Sequence, residues 1–339
     1  HYGGEELEPL LRFTTLVDAR WLLKLARRLV LPKRKGVVPP WQQLPAAAVV
    51  PLSLLRRSKM KYGLPVGVMS YGCEAAVAQP EATGFRLLSA HARPPTLTLT
   101  CPDAAAGAAK GHPDPTGHQL RSLIPVLEAI VAECSKGEWG VDTWGIVWDF
   151  MAFPQRGYTV KYDPDADDRT PEQIARFKAG LSQINVWYGA QYTHTLVLDL
   201  PMPAKAENSR PVEERGWCIF ERRLSSLIKD DYCYLELHGL RTYVKLWRWQ
   251  KTWVALRDRC KATRDAPLAP DLFEEGLLAG VEREKAKEGS GIKFTSGKDL
   301  TEVVIPQYEA GFLRLMGQAQ RLTFTGLGWG DAEMQQLVA

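Results

Sequence analysis

The sequence lacks the short motifs that mark the most familiar nucleotide sites, zinc modules and disulfide frameworks. It contains no G-x-G-x-x-G and no G-x-x-x-x-G-K-[ST] segment, so neither a dinucleotide fingerprint nor a phosphate loop supports a dehydrogenase or a nucleoside triphosphatase. Its six cysteines lie far apart without a C-x-x-C pair, which favours reduced thiols in an intracellular, reducing compartment such as the cytoplasm. These cysteines are Cys73, Cys101, Cys134, Cys218, Cys233 and Cys260.

A strong charge of one sign and a long apolar run are also missing. The formal net charge is only +4 over 339 residues, and basic residues concentrate only between Arg27 and Lys35, so nucleic acid is not an expected partner. No apolar run reaches the roughly 18 residues that a membrane-spanning helix needs, so no membrane span is expected. The chain does have 45% hydrophobic and 24% charged residues, a composition that can bury a large core.

The N-terminal region, residues 1–60, is predicted to hold an amphipathic helix and a linker. The helix covers residues 16–31 and ends at Pro32, before a proline-rich stretch. We expect a packed apolar face under a solvated basic face, and the alternative is a basic surface for an acidic partner or a membrane. The apolar face carries Leu22, Leu25, Ala26 and Leu29, and the basic face carries Arg20, Lys24, Arg27 and Arg28.

Residues 61–240 alternate short apolar runs with helical patterns. Apolar runs of this length are typical of buried parallel strands, and strands that alternate with helices form right-handed crossovers on a parallel sheet. We therefore predict an α/β domain with three layers and a mostly parallel sheet. The predicted strands are 64–70, 144–149, 195–200 and 232–237, and the predicted helices begin near residues 120, 170 and 215.

The helix that begins after Thr170 carries the clearest local signal. Thr170, Pro171 and Gln173 supply an N-cap, a proline at the first helical position and a capping-box partner. We expect one helix here. Its predicted buried stripe consists of Ile174, Phe177, Leu181, Ile184 and Tyr188.

Two segments depart from the α/β pattern. Residues 74–110 are rich in alanine and proline, with a strand expected only at 96–100, so we interpret them as an insertion that the core does not need. Residues 241–339 are predicted to be mainly helical, and residues 321–339 resemble one leucine-rich repeat unit in their spacing. That unit carries Leu322, Phe324, Leu327 and Leu337.

Candidate functional residues lie where the predicted strands end, because ligands in an open parallel sheet bind outside the carboxyl ends of the strands. Ser70 and Tyr71 end the first predicted strand, and Asp149 ends the second. The loop 154–169 and the start of the helix near residue 215 follow predicted strands in the same way.

Glu221 is the most informative of these residues. Helical spacing puts it on one stripe with Trp217, Leu224 and Ile228, which is the face expected to pack inward. A carboxylate on that face is either paired, for example with Arg215 or Arg222, or functional. The residues alone leave both interpretations open.

Three motifs in order carry a resemblance to known domains. RGWCIFE at residues 215–221 resembles the W-C-x-x-E motif of TIR domains and the R-G-W-x-x-x-E segment of heterokaryon-incompatibility (HET) domains. MSYG at 69–72 resembles the first-strand S-Y motif of the HET domains, and WDFMAFPQ at 148–155 resembles their second-strand W-x-D-x-x-C-x-x-Q motif. The resemblance implies a TIR- or flavodoxin-like sheet and a role in signalling or defence.

The chain as a whole also resembles a group of proteins from unicellular algae. The shared segments include VDARWLLKLA, HPDPTG, RTPEQIARFK, INVWYG and IKFTSGKDL. Against that pattern, the stretch between Cys73 and Gly111 is an insertion, and the tryptophan expected shortly after the S-Y motif is absent.

The resemblance implies two functions of different classes. As an enzyme, the domain would bind NAD or a related nucleotide as substrate, without a cofactor or a metal, and Glu221 would be the catalytic residue that cleaves the ribose–base bond. As a non-catalytic scaffold, it would act through self-association or a protein partner. The residues assigned to substrate binding are Ser70, Tyr71, Asp149, Gln155, Arg215 and Trp217.

For three other candidates, we favour a structural role over a functional one. HPDPTGH, with His112, Asp114 and His118, has metal-ligand residue types, but its prolines favour a tight turn that leads into a helix. The acidic loop 163–168 lacks the glycine and the glutamate of a calcium-binding EF-hand, so we expect a solvated loop. Cys218 has no histidine nearby in sequence, which favours a small buried thiol.

Overall fold

The computed structural model describes most of the chain. The described residues are 5–29, 38–51, 53–60, 64–71, 113–114, 116–158, 167–199, 210–240, 252–294, 296–319, 322, 324 and 327–338. The predicted insertion at 74–110, including the strand expected at 96–100, lies outside them.

A five-stranded mixed sheet forms the centre of the structure, in the order β1-β3-β2-β4-β5. Strand β1 pairs with β3 in antiparallel orientation, and all the other neighbours are parallel. The predicted α/β fold with a mostly parallel sheet is therefore confirmed. The strands are β1 (Val17–Asp18), β2 (Val66–Tyr71), β3 (Gly145–Val147), β4 (His194–Leu198) and β5 (Tyr234–Glu236).

The four parallel strands lie where apolar runs predicted them. Their burial is continuous in β2, β3 and β4, since residues 66–70, 145–147 and 194–198 are all buried. Such continuous burial is expected when helices cover both faces of a parallel sheet. The antiparallel β1 was not predicted, because two residues are too few to show a pattern.

The helices surround this sheet. They are α1 (Ala19–Leu29), α2 (Ser53–Arg56), α3 (His118–Ser122), α4 (Ile124–Cys134), α5 (Asp149–Ala152), α6 (Pro171–Leu181), α7 (Ile184–Gly189), α8 (Gly216–Ser226), α9 (Trp253–Cys260), α10 (Pro270–Ala286), α11 (Ile305–Gln318) and α12 (Asp331–Val338). None of the helices in the described part of the chain has the length and hydropathy that crossing a bilayer requires.

The N-terminal helix α1 is amphipathic, as predicted. Leu22, Ala26 and Leu29 are buried, and Lys24 and Arg27 are exposed. The buried face packs on α4, and Arg27 forms a salt bridge of 2.6 Å with Glu128 of that helix. The basic face is thus solvated over a packed apolar face.

The segment after Thr170 folds with one difference from the prediction. The capping box is present, since the Thr170 hydroxyl accepts from the Gln173 N–H and the Gln173 side chain accepts from the Thr170 N–H. The predicted single helix, however, is two helices, α6 and α7, separated at Ser182 and Gln183. The break turns Tyr188 into the core, where it is 3% exposed, whereas the α6 part of the predicted stripe, at Ile174, Phe177 and Leu181, is only partly buried.

The C-terminal region is mainly helical and packs against the sheet domain through one core. Phe273 of α10 and Tyr308 of α11 are buried in the same hydrophobic cluster as Leu224 of α8. The segment between these two helices also contacts the start of α8, where the Gly216 N–H donates to the Lys293 carbonyl at 2.9 Å. Within the repeat-like unit, residues Asp331–Val338 form helix α12.

Substitution of Gly216 tests whether the packing of the C-terminal region on α8 stabilises the fold. A Cβ atom at Gly216 would fall inside the van der Waals distance of the Phe294 ring, whereas a Cβ at Gly276 on α10 would meet nothing within 4 Å. We expect Gly216→Ala to lower the free energy of unfolding by about 1–3 kcal/mol through overpacking. Gly276→Ala should instead raise it by about 0.4–1 kcal/mol, because alanine favours the helix. Urea unfolding of both variants measures the difference, and equal stabilities would contradict the observed docking.

Candidate functional site

The candidate site lies at the carboxyl end of the central strand β2. Strand β2 is flanked by β3 on one side and by β4 on the other, so the chain crosses over it when it passes from β3 to β4. In open α/β sheets, ligands bind outside the carboxyl ends of the strands at this point of reversal. Ser70 and Tyr71 end β2 there, next to Val197 and Leu198 of β4.

Helix α8 presents a row of polar side chains to this part of the sheet. Glu221, Ser225 and Lys229 are spaced by four residues, which puts them on one side of the helix and the turn that follows it. The Ser225 hydroxyl is 2.8 Å from that of Thr195 in β4. This contact fixes α8 along the sheet so that the Glu221 carboxyl lies beside Ser70.

The other two members of the row have hydrogen-bond partners. The buried Lys229 ammonium donates to the carbonyls of Ala190 and Thr193 and to the Thr193 hydroxyl, and burial lowers its pKa to about 7. Glu221 has no comparable set of hydrogen-bond partners. Its Oε2 and the Ser70 Oγ are buried atoms without a hydrogen-bond partner among the described residues.

The electrostatics of Glu221 follow from this position. Desolvation raises its pKa to about 8, and the negative charge of Asp149 adds to the rise, whereas the nearby Ser70 and Tyr188 hydroxyls oppose it. Among the described residues, none adds a positive charge that lowers its pKa. The side chain is nevertheless partly exposed. A carboxyl with a pKa near neutrality is suited to acid–base or charge-stabilising chemistry.

The neighbouring arginines are turned to other partners. Arg222 forms salt bridges of 3.1 Å with Glu213 and 2.7 Å with Glu236. The buried Arg215 guanidinium donates to the carbonyl of Arg210 at 2.8 Å. The ion pair that a purely structural Glu221 would need is therefore not formed with either arginine that the sequence suggested.

Asp149 and Tyr71 lie on the other side of the site. Asp149 is the first residue of α5, directly after β3, and it accepts a hydrogen bond from the Tyr71 hydroxyl. The Tyr71 ring packs edge-on against Trp148, with 5.3 Å between ring centroids. Asp149 is solvent-exposed, yet desolvation by the surrounding protein raises its pKa. Both observations fit a carboxyl at the wall of a recess.

The structure brings together four of the seven predicted site residues. A fifth lies next to them, and the remaining two have other contacts. Ser70, Tyr71, Asp149 and Glu221 cluster as described above. Gln155 adjoins them, because its side-chain amide donates to the Asp149 carbonyl at 3.3 Å and to the Phe153 carbonyl at 2.9 Å.

Arg215 and Trp217 have other contacts: the Arg215 side chain bonds the Arg210 carbonyl, and Trp217 bonds the C-terminal region. The Trp217 indole N–H donates to the Asp299 carboxylate at 3.0 Å. This bond ties α8 to the segment before α11. It was not predictable from local spacing, because the two residues are 82 positions apart.

The weaker sequence candidates have structural roles where they are described. The Asp114 carboxylate accepts from the Gln119 N–H at 3.1 Å and the Leu120 N–H at 2.9 Å, and so caps the start of α3, as the turn interpretation predicted. Cys218 is a buried thiol whose pKa is raised by desolvation. His112, Asp163 and Asp165 lie outside the described residues.

Two features of this region were missed from the sequence. A cavity of about 360 Å³ lies on the side of α8 that faces α10, and its lining includes Ile219, Arg222 and Phe273 but not Glu221. At the ends of β4 and β5, Asp199, Glu236 and His238 bring potential ligand atoms within 4.8 Å of one another. The signal for this second feature was present, because polar residues end the apolar runs TLVLD and YLELH.

The raised pKa of Glu221 predicts a pH dependence of stability. Between its ordinary value of 4.5 and about 8, the folded protein keeps a proton that the unfolded chain has released. Stability is therefore lost as pH rises through this window, by at most about 1.4 kcal/mol per pH unit. Glu221→Gln removes this titration, so its melting temperature relative to the wild type should climb between about pH 5 and about pH 8.5. A difference that stays constant with pH would contradict the raised pKa.

Comparisons of this chain with protein-family models, with curated proteins and with solved structures found no match.

Proposed function

We propose that residues 61–240 form a TIR-like or HET-like signalling domain that binds NAD or a related nucleotide and cleaves its ribose–base bond. The observation that carries the proposal is the position of Glu221 at the end of the central strand, where its side chain is partly exposed, its Oε2 is buried, and none of the described residues places a positive charge on it. A carboxyl that served only the fold would be expected to have a counter-charge or well-formed hydrogen bonds, whereas the buried Oε2 of Glu221 has neither among the described residues.

The sheet topology supports the same proposal. Counted along the chain, the four parallel strands have the order second, first, third, fourth. This is the beginning of the flavodoxin-like order, in which the ligand binds between the first and third strands. In this chain, that position lies between β2 and β4, where Ser70 and Glu221 meet.

The proposed reaction transfers the ribosyl group of the nucleotide to water. The bond between the ribose carbon and the pyridinium nitrogen breaks, and its electron pair neutralises the leaving nicotinamide. The ribose carbon becomes cationic, the oxygen of a water molecule adds to it, and the proton of that water is released. The Glu221 carboxylate would stabilise the developing cation, as carboxylates do in glycoside cleavage.

The raised pKa of Glu221 fits a cationic substrate. In the free protein, a pKa of about 8 keeps the carboxyl largely protonated at neutral pH. A pyridinium ring that binds beside it would favour the ionised form, because an opposite charge lowers the pKa of a carboxyl. The substrate would thus supply the counter-charge that none of the described residues provides.

The surrounding side chains supply groups for orienting such a substrate. The partly exposed Tyr71 ring offers an apolar surface for a base or a ribose. The Asp149 carboxylate and the Gln155 side chain can accept from or donate to ribose hydroxyls. The buried Ser70 hydroxyl lies beside the Glu221 carboxyl, whose pKa it lowers, and adds a further polar group at that position.

A non-catalytic interaction module is the second candidate function. The observation that favours it is that Arg215 and Trp217, both assigned to substrate binding, are engaged inside the protein by Arg210 and Asp299. In that case, the motif R-G-W-C would serve to dock the C-terminal region on α8. Self-association or a protein partner would then carry the function.

Release of nicotinamide from NAD tests the choice between these functions. We expect slow cleavage by the wild-type protein, and Glu221→Gln should lower the rate on the order of a hundredfold or more by removing the stabilising charge. Glu213→Gln is the matched control, because it removes a carboxylate eight residues away that pairs with Arg222 at the surface. Its rate should remain that of the wild type.

The contradicting outcome is a wild-type protein that releases no nicotinamide even at high concentration or when clustered. Folding of each variant is checked by its melting temperature, so that a lost activity is not mistaken for a lost structure. An inactive, fully folded wild type would leave the interaction module as the function.

A further inference from the structure

We propose that Asp199, Glu236 and His238 form a binding site for one divalent first-row transition cation, such as Zn²⁺ or Mn²⁺. The three side chains come from the ends of the two neighbouring parallel strands β4 and β5. Each offers one potential ligand atom, and these atoms lie within 4.8 Å of one another. The proposal does not depend on nucleotide cleavage at Glu221.

The ends of the two strands explain why these residues converge. Val197 of β4 pairs with Glu236 of β5, and Asp199 follows two residues after Val197. His238 lies in the 3-10 helical turn Leu237–Gly239 that follows β5, and its backbone N–H donates to the Asp199 carboxylate. This contact brings His238 to the end of β4, so the three potential ligand atoms meet at the carboxyl ends of the two strands.

The ligand set has the chemistry of a transition-metal site. Two carboxylates and one imidazole suit Zn²⁺ or Mn²⁺ better than Ca²⁺ or Mg²⁺, which prefer oxygen ligands alone. The two carboxylates attract a divalent ion, although Arg222 already pairs with one of them, Glu236. Three protein ligands leave coordination positions for water or a substrate, as in catalytic zinc sites.

The carboxylates are already oriented by neighbouring groups. The His238 backbone N–H donates to Asp199 Oδ1 at 2.6 Å, while the imidazole contacts Asp199 Oδ2. The Arg222 guanidinium holds Glu236 through Oε1 at 2.7 Å, which leaves Oε2 for an ion. Such outer hydrogen bonds fix the direction of metal ligands.

Only a small movement separates the observed geometry from a bound ion. Three atoms that share an ion at about 2.1 Å lie at most about 4.2 Å apart. The His238 side chain is 61% exposed, whereas that of Asp199 is 14% exposed. A rotation of the exposed imidazole can therefore close the site while the two half-buried carboxylates stay in place.

The site would be a neighbour of Glu221. Ser70, Val197 and Glu236 form one row across β2, β4 and β5. At about 4.8 Å per strand, Glu236 lies about 10 Å from Ser70 in the backbone. An ion there could contact a phosphate of a molecule whose other end reaches Glu221, although binding of the ion needs no such molecule.

Calorimetric titration of the tag-free, chelator-treated protein with Zn²⁺, Mn²⁺ and Mg²⁺ tests the proposal. We expect one equivalent of Zn²⁺ to bind, Mn²⁺ to bind more weakly, and Mg²⁺ to bind least. Asp199→Asn and His238→Ala should each weaken Zn²⁺ binding by about tenfold or more. Glu213→Gln, which removes the other carboxylate paired with Arg222, should bind Zn²⁺ as the wild type does.

A spectroscopic signature separates ligation from a general loss of structure. Co²⁺ bound to the wild type should show a visible absorption band that changes in His238→Ala, because an imidazole ligand is lost. The melting temperature of metal-free His238→Ala should match that of the wild type, since the His238 side chain is largely exposed. Absence of stoichiometric Zn²⁺ binding, or unchanged binding in both ligand variants, would overturn the proposal.

Discussion

The arrangement of the site depends on the row of polar side chains that helix α8 and the turn after it pack against the sheet. Glu221, Ser225 and Lys229 all face β-strands or the turns between them, where polar groups must find partners or lose stability. Ser225 bonds Thr195, and Lys229 bonds the carbonyls before β4. These two contacts fix the helix, and they leave Glu221 at the end of the row without a counter-charge from the described residues.

The same need of polar groups for partners explains the surroundings of the site. Arg222 points away from Glu221 because two other carboxylates, Glu213 and Glu236, hold its guanidinium on the neighbouring face of α8. Asp149 adds a second negative group on the far side of β2. The carboxyl end of the sheet thus collects several acidic side chains: Glu213 and Glu236 pair with Arg222, whereas Glu221 and Asp149 have no positive partner among the described residues, and a cationic substrate would compensate them.

Much of the fold was predictable because its signals are local. Buried parallel strands are continuous apolar runs, so residues 64–70 and 195–200 predicted β2 and β4. The capping box at Thr170 predicted the start of α6. The two-residue β1 gave no periodic signal. The break between α6 and α7 was missed because the apolar spacing continues across Ser182 and Gln183, and tertiary packing, which overrides local propensity, decides where the helix ends.

The candidate site was predictable only in part, for a related reason. Strand ends and helical spacing identified Ser70, Asp149 and Glu221, since each follows from a local pattern. The partners of Arg215 and Trp217 lie in backbone turns and in a segment far along the chain, and local spacing says nothing about them. The cluster at Asp199 depends on the register between β4 and β5, which is a property of the folded sheet.

The most direct test of this account is a ¹³C NMR titration of the glutamate carboxyl groups, with the Glu221 signal assigned by its loss in Glu221→Gln. We expect an apparent pKa of about 8 for Glu221 in the free protein, and a clear fall of that pKa when NAD is added. A Glu221 pKa near the ordinary value of 4.5 that NAD leaves unchanged would show that the carboxyl has a counter-charge, and would contradict the account.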